Sequence, residues 1–149
     1  MNSDVIFEQT FEISGGDFIN GGDASCQVSN ILKDVGVDPD TILRATVAAY
    51  EAEMNVVIYA RSGTLYFRVE YGRILLKVED EGIGIKDIEQ AMQEGYSTAT
   101  EEIREMGFGA GMGLPNIDKN VDVFNITSVP GTGTKLEMII YLPGDNKNA

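Results

Sequence analysis

The segment from Asp38 to Ala60 constrains the fold most, because it predicts one long helix that is apolar on nearly every side. Asp38 is a typical N-cap residue, and Pro39 suits the first helical position, where no backbone N–H is needed. The pattern therefore predicts a helix over 39–60. A helix with so little polar surface is expected to pack deep against a sheet.

Alternation of apolar and polar residues predicts the strands of that sheet, four of which form two hairpins. The predicted strands are 5–13, 64–71, 73–80, 123–129 and 135–142. Further helices are predicted over 24–36, 87–93 and 114–122. This order of elements predicts an α+β fold, a two-layer α/β sandwich with a mainly antiparallel mixed sheet and helices on one face.

Composition limits the classes of function. The chain has 149 residues, which suits a single domain over 1–149. A formal net charge of −13 without a basic cluster argues against nucleic acid or a membrane surface as a partner. The chain has no histidine, so its chemistry must rely on carboxylates, hydroxyls or a metal bound by oxygen. The single Cys26, with neither a signal sequence nor a long apolar run, predicts a cytoplasmic protein.

A cluster of glycines precedes the predicted helix that begins near Leu114. The glycines are Gly107, Gly109, Gly111 and Gly113. Glycine is costly in regular structure, so a cluster needs a backbone reason. One hypothesis is that backbone N–H groups approach an anion here, with the positive end of the next helix behind them. The alternative is a flexible surface loop.

Two polar residues interrupt the long apolar helix. Glu51 and Asn55 are four residues apart and therefore share a helix face, on which they can converge on one bound group. An asparagine oxygen suits Mg²⁺, and a nearby carboxylate can accept a proton from a hydroxyl or water. The alternative is that both are solvated surface residues. Glu53 shares neither this face nor this spacing, and we expect it to be a solvated or structural charge.

Asp80 ends a hydrophobic strand and is followed by Gly82 and Gly84. A carboxylate at this place can accept a hydrogen bond from an amino group, and the glycines allow a flat ring to approach. A plain turn after a strand is the alternative, because Asp and Gly are common turn residues.

Taken together and in this order, the three motifs resemble the ATP-binding fold shared by gyrase, histidine kinases and MutL. The segment from Gly131 to Thr134 resembles the last small motif of that superfamily, so the resemblance spans about 38–142. The compact length and the segments AMQEGYSTA and GAGMGLPNI are similar to the bacterial anti-sigma-factor and switch-protein serine kinases. The resemblance implies a Bergerat-type fold that binds ATP and Mg²⁺.

The resemblance also implies roles for individual residues. Glu51 would be the general base, Asn55 would hold Mg²⁺, and Arg104 would contact the γ-phosphate. Asp80 would bind the adenine amino group, and Thr134 would lie at the back of the adenine pocket. The full set of implied nucleotide-binding residues is Asp80, Gly82, Gly84, Gly107, Gly109, Gly111, Gly113, Leu114 and Thr134. Tyr96, Ser97 and Thr98 are either lid contacts or plain loop residues.

The function implied is a serine/threonine protein kinase that acts as a regulatory switch. Its acceptor would be a small STAS-type anti-sigma antagonist or scaffold, and a sigma factor is a further partner candidate. A nucleotide-gated binding module without significant catalysis is the alternative, and a stand-alone ATPase is a third hypothesis. Whether the uncovered sheet face forms a homodimer stays open.

Overall fold

The computed structural model describes residues 4–95 and 112–143. In this part of the chain the elements are β1 (Val5–Ser14), α1 (Asp23–Val35), α2 (Pro39–Tyr59), β2 (Ala60–Glu70), β3 (Arg73–Gly82), α3 (Ile88–Ala91), α4 (Gly113–Asn120), β4 (Val123–Val129) and β5 (Gly133–Tyr141). The predicted elements are confirmed, with small differences at their ends.

The strands form one five-stranded sheet in the order β1-β2-β3-β5-β4. Every neighbouring pair of described strands is antiparallel. The predicted α+β fold with two layers is therefore confirmed. The apolar side of the sheet carries the helices, and the other side carries polar and charged residues such as Arg68 and Glu70, which form an ion pair.

Helix α2 begins where the sequence indicated. The Asp38 carboxylate accepts hydrogen bonds from the backbone N–H of Thr41 at 3.0 Å and from its hydroxyl at 2.7 Å. These hydrogen bonds hold the pKa of Asp38 below its usual value. The cap therefore stays charged at the end of the helix where negative charge is favourable.

The core lies between α2 and the apolar face of the sheet. Its fully buried residues include Leu65, Phe67 and Val69 of β2, and Ile74 and Leu76 of β3. Within the described residues, no helix is both long enough and apolar enough to cross a membrane.

Strand β2 begins at Ala60, four residues before the predicted start, and follows α2 without a connecting loop. Tertiary pairing explains this difference. Ser62 and Gly63 pair with the end of β1, and the N–H of Gly15 donates to the carbonyl of Arg61 at 2.8 Å. These polar residues are therefore held as a strand by their neighbours, although they carry no apolar alternation of their own.

Glu53 is a buried structural carboxylate with 3% exposure. Its Oε2 accepts hydrogen bonds from the N–H groups of Gly22 at 3.0 Å and Ala24 at 3.1 Å, and its Oε1 accepts one from Ser25 at 3.0 Å. The N-cap of α1 is Gly22, which has no side chain to satisfy these donors. Glu53 of α2 therefore caps the N-terminus of α1 from outside that helix.

We expect Glu53→Ala to lower the free energy of unfolding by about 3 kcal/mol, because it leaves several buried N–H groups without their charged acceptor. Glu53→Gln keeps one acceptor oxygen and should lose less. Urea unfolding followed by circular dichroism measures both changes.

The matched control is Asp34→Ala, which removes an exposed carboxylate from α1 and should stay within about 0.5 kcal/mol of the wild type. Equal stability of the Glu53→Ala variant and the wild type would contradict the capping role.

Candidate functional site

Asp80 lies at the end of β3 on the side of the sheet that carries the helices. Its Oδ1 accepts a hydrogen bond from the backbone N–H of Thr134 at 3.0 Å. Burial raises the pKa of Asp80 above its ordinary value of 3.8, and the bond from Thr134 opposes this rise. A Cβ on Gly133 would lie 2.0 Å from the carbonyl oxygen of Asp80, so the contact between these strands requires glycine.

Ser128 organises the surroundings of Thr134. Its Oγ lies 2.9 Å from the hydroxyl oxygen of Thr134, accepts a hydrogen bond from the N–H of Ile85 at 2.7 Å, and lies 3.1 Å from the carbonyl of Gly133. It thereby ties the loop after β3 to the β4–β5 hairpin. Ser128 was not among the predicted site residues, although a polar residue at an inward position of an alternating strand is a usable signal.

Gly82 and Gly84 allow backbone segments to approach one another. A Cβ on Gly82 would lie 2.8 Å from the Cα of Ala60. Gly84 has a φ of +73°, and a Cβ there would lie 2.4 Å from the carbonyl oxygen of Val129. Both glycines are therefore required by the fold of this loop, and the predicted role in shaping an adenine pocket stays a prediction.

Glu51 and Asn55 face the first residue of α4 from one side of α2. A Cβ on Gly113 would lie 3.3 Å from Oδ1 of Asn55 and 3.5 Å from Oε1 of Glu51. The Nδ2 of Asn116 donates a hydrogen bond to Oε2 of Glu51 at 3.1 Å. The two side chains thus meet at the start of α4. Asn116 was not among the predicted site residues.

Helix α4 begins at Gly113, one residue before the predicted start, and Leu114 is buried in the core. Leu114 therefore anchors the helix through its side chain. The predicted ligands Arg104, Gly107, Gly109 and Gly111 lie outside the described residues, as do Tyr96, Ser97 and Thr98.

The described side chains include oxygen ligands of the kinds that the implied nucleotide and magnesium ion would need. The amide oxygen of Asn55 faces Gly113, and Mg²⁺ prefers oxygen ligands of this kind. The half-buried carboxylate of Asp80 suits the recognition of an amino group. Asn55 could hold Mg²⁺, and Asp80 could bind the adenine amino group.

A separate cavity of about 650 Å³ opens at the other end of the strands. It is lined by residues from the start of α2, the β2–β3 turn and the end of β5, among them Arg44, Tyr71 and Tyr141. None of the predicted site residues lines it.

Sequence comparison identifies the family. Residues 23–140 match the family described as the histidine kinase-like ATPase domain. The chain belongs to the histidine kinase-like ATPase family. This match confirms the resemblance inferred from the motifs.

Individual members of this ATPase family are similar over most of the chain. The serine/threonine-protein kinase RsbT of Bacillus subtilis is 33% identical over 117 residues, which cover 76% of this chain and 82% of RsbT. The anti-sigma F factor of Thermoanaerobacter sp. is 31% identical over 106 residues, which cover 71% of this chain and 66% of that protein.

A solved structure shares the same ATPase fold. The crystal structure of the RsbU and RsbW domains of a Mycobacterium tuberculosis protein matches with a TM-score of 0.58 at 16% identity. The match covers 90% of this chain and 32% of the mycobacterial chain. At this identity the likeness concerns the fold alone.

Asp80→Asn tests the carboxylate end of the site. The variant retains an acceptor for the N–H of Thr134 and removes the half-buried charge. We expect adenine nucleotide to bind about tenfold to a hundredfold more weakly, while the melting temperature without nucleotide rises by about 1–3 °C. Calorimetry and thermal unfolding measure the two effects.

The stability effect of Asp80→Asn should depend on pH. The folded state raises the pKa of Asp80 above 3.8 and therefore favours the protonated carboxyl. The stabilisation that protonated Asp80 contributes is complete below pH 3.8 and is lost as the pH rises through the folded pKa. Asp80→Asn should therefore be more stable than the wild type at neutral pH, and this difference in stability should disappear as the pH falls towards 3.8. Asp118→Asn, an exposed change on α4, is the control, and unchanged nucleotide affinity of Asp80→Asn would contradict the assignment.

Proposed function

We propose that this chain is an ATP-dependent serine/threonine protein kinase that phosphorylates a small STAS-type partner in the cytoplasm and acts as an anti-sigma-type switch. One observation carries the proposal: Glu51 and Asn55 face the start of α4 from a single side of α2. The similarity to a serine/threonine-protein kinase and to anti-sigma F factors supports it.

The adenine end of the proposed site consists of Asp80, Thr134 and the loop after β3. One oxygen of Asp80 is engaged by the N–H of Thr134, and we assign the other oxygen to the adenine amino group. Gly82 and Gly84 shape the adenine pocket through the path of the loop, and Thr134 forms its back.

The phosphate end consists of the start of α4 and the residues before it. Gly107, Gly109, Gly111 and Gly113 supply backbone N–H groups to the phosphates, and Arg104 contacts the γ-phosphate. Asn55 holds Mg²⁺, which, when bound, neutralises charge on the phosphates. A chain with a net charge of −13 needs such local positive potential to hold a triphosphate.

In the proposed transfer, Glu51 removes the proton from the acceptor hydroxyl. The acceptor oxygen then forms a bond to the γ-phosphorus, while the bond from that phosphorus to the β–γ bridging oxygen breaks and ADP leaves. The products are the phosphorylated partner, ADP and a proton held by Glu51. Most of the rate enhancement comes from positioning and charge neutralisation, because phosphoryl transfer requires little covalent chemistry from the protein.

The test is transfer of label from γ-phosphate-labelled ATP to proteins in an extract of the native organism. Wild type should produce a labelled protein band whose labelled residue is serine or threonine. Glu51→Gln keeps the shape of the side chain and an acceptor for Asn116 but removes the base, so it should reduce the label by at least about a hundredfold.

Glu89→Gln, which changes an exposed carboxylate on α3, is the matched control and should label the band fully. Full labelling by Glu51→Gln would contradict the base assignment. A wild type that binds ATP but labels no band would instead favour the nucleotide-gated binding module.

Asn55→Ala tests the proposed magnesium ligand. Wild type should bind ATP more tightly with Mg²⁺ than with a chelator, and the variant should lose most of that difference while it keeps the affinity measured without the metal. Calorimetry under both conditions checks this, with the exposed Asn125→Ala on β4 as control. An undiminished effect of Mg²⁺ in Asn55→Ala would rule out this ligand.

A further inference from the structure

Helix α4 contacts α2 both near its first residues and near its end. Gly113, Asn116 and Asn120 are three and four residues apart and therefore share one face of the helix. Asn116 donates from Nδ2 to Oε2 of Glu51 at 3.1 Å. The Nδ2 of Asn120 in turn donates to the backbone carbonyl of Asn116 at 2.8 Å.

The other end of α4 is also tied to α2, which fixes the register of the two helices. Arg44 donates from Nε to the carbonyl of Asn120 at 3.0 Å and forms an ion pair with Asp122 at 3.3 Å. Ile117, between the two ties, is fully buried. Asn116 is therefore held opposite Glu51 by contacts on both sides of it along α4.

The amide of Asn116 binds one carboxylate oxygen of Glu51, and the other oxygen points towards the start of α4. Oε2 receives the hydrogen bond, whereas Oε1 lies towards Gly113, near the amide oxygen of Asn55. A neutral amide can donate this bond without exchanging a proton with the carboxylate. The bond thus fixes the rotation of the carboxylate and leaves Oε1 without a hydrogen bond from Asn116.

We propose that Asn116 is a positioning residue that aims Oε1 of Glu51 at the acceptor hydroxyl, a role that rests on the kinase function proposed above. Because Asn116 belongs to the first turns of α4, the base is correctly oriented only when this helix is docked on α2. The hydrogen bond between Asn116 and Glu51 therefore couples the position of α4 to the orientation of the base.

The competing explanation is that Asn116 merely ties two helices together. A tie of that kind would affect stability and nucleotide binding together with the transfer rate. A positioning residue instead affects the rate of the chemical step, and only when the base that it positions is present.

Asn116→Ala is the central variant. We expect the single-turnover transfer of labelled γ-phosphate to slow by about tenfold to a hundredfold. The receiving group is either the protein identified by the labelling experiment or water. ATP affinity should stay within about twofold of wild type, because the hydrogen bond of this side chain is made to Glu51. Asp118→Ala, an exposed change on the same helix, should leave both quantities unchanged.

A double-mutant cycle separates the two explanations. In the Glu51→Gln background, the base is already absent, so adding Asn116→Ala should slow transfer no further. A loss as large as that in the wild-type background would overturn the positioning role. A wild-type rate for the single Asn116→Ala variant would overturn it as well, while full transfer by Glu51→Gln would instead refute the proposed base itself.

A measurement independent of activity keeps the inference testable should Asn116→Ala fold poorly. The side-chain amide protons of Asn116 can be observed by nitrogen-15 NMR in the whole chain. Replacing Glu51 by alanine should move their resonances upfield and speed their exchange with water, and Glu89→Ala should not. Unchanged Asn116 amide resonances in Glu51→Ala would show that the contact is absent in solution and would overturn the proposal.

Discussion

The burial of α2 is the constraint on which the rest of the domain depends. Four alanines on this helix, Ala45, Ala48, Ala49 and Ala52, are fully buried. Their small side chains let α1, α4 and the sheet all contact one helix. A polar residue on the buried part of α2 then lies where a neighbouring element covers it, and it must find a hydrogen-bonding partner or a ligand there.

The contrast between Glu51 and Glu53 follows from that burial. Two residues turn an α-helix by about 200°, so the two carboxylates point to opposite sides. Glu53 lies against the start of α1, where its carboxylate accepts three backbone hydrogen bonds. Glu51 meets α4 and receives a side-chain bond from Asn116. The same residue type thus has a structural role on one side of α2 and a proposed chemical role on the other.

Local signals were sufficient for most of the fold. The Asp38–Pro39 start predicted α2, and alternation predicted both hairpins, because caps and side-chain periodicity act over a few residues. The i and i+4 spacing likewise placed Glu51 and Asn55 on one face. The sequence did not reveal the burial of Glu53 or the roles of Ser128 and Asn116, because each of these side chains acquires its function from a partner distant in the chain.

The direct junction between α2 and β2 has a consequence for the scale of the site. Glu51 and Ala60 belong to one continuous run, which rises about 13 Å at the helical rise of 1.5 Å per residue. Ala60 pairs with Gly82, next to the strand end that carries Asp80. The length of this segment therefore sets the distance between the two ends of the candidate site. One residue inserted between Glu51 and Ala60 would lengthen this segment by only one helical rise but would turn Glu51 about 100° away from α4. The domain can therefore tolerate insertions in its loops far better than an insertion in this segment.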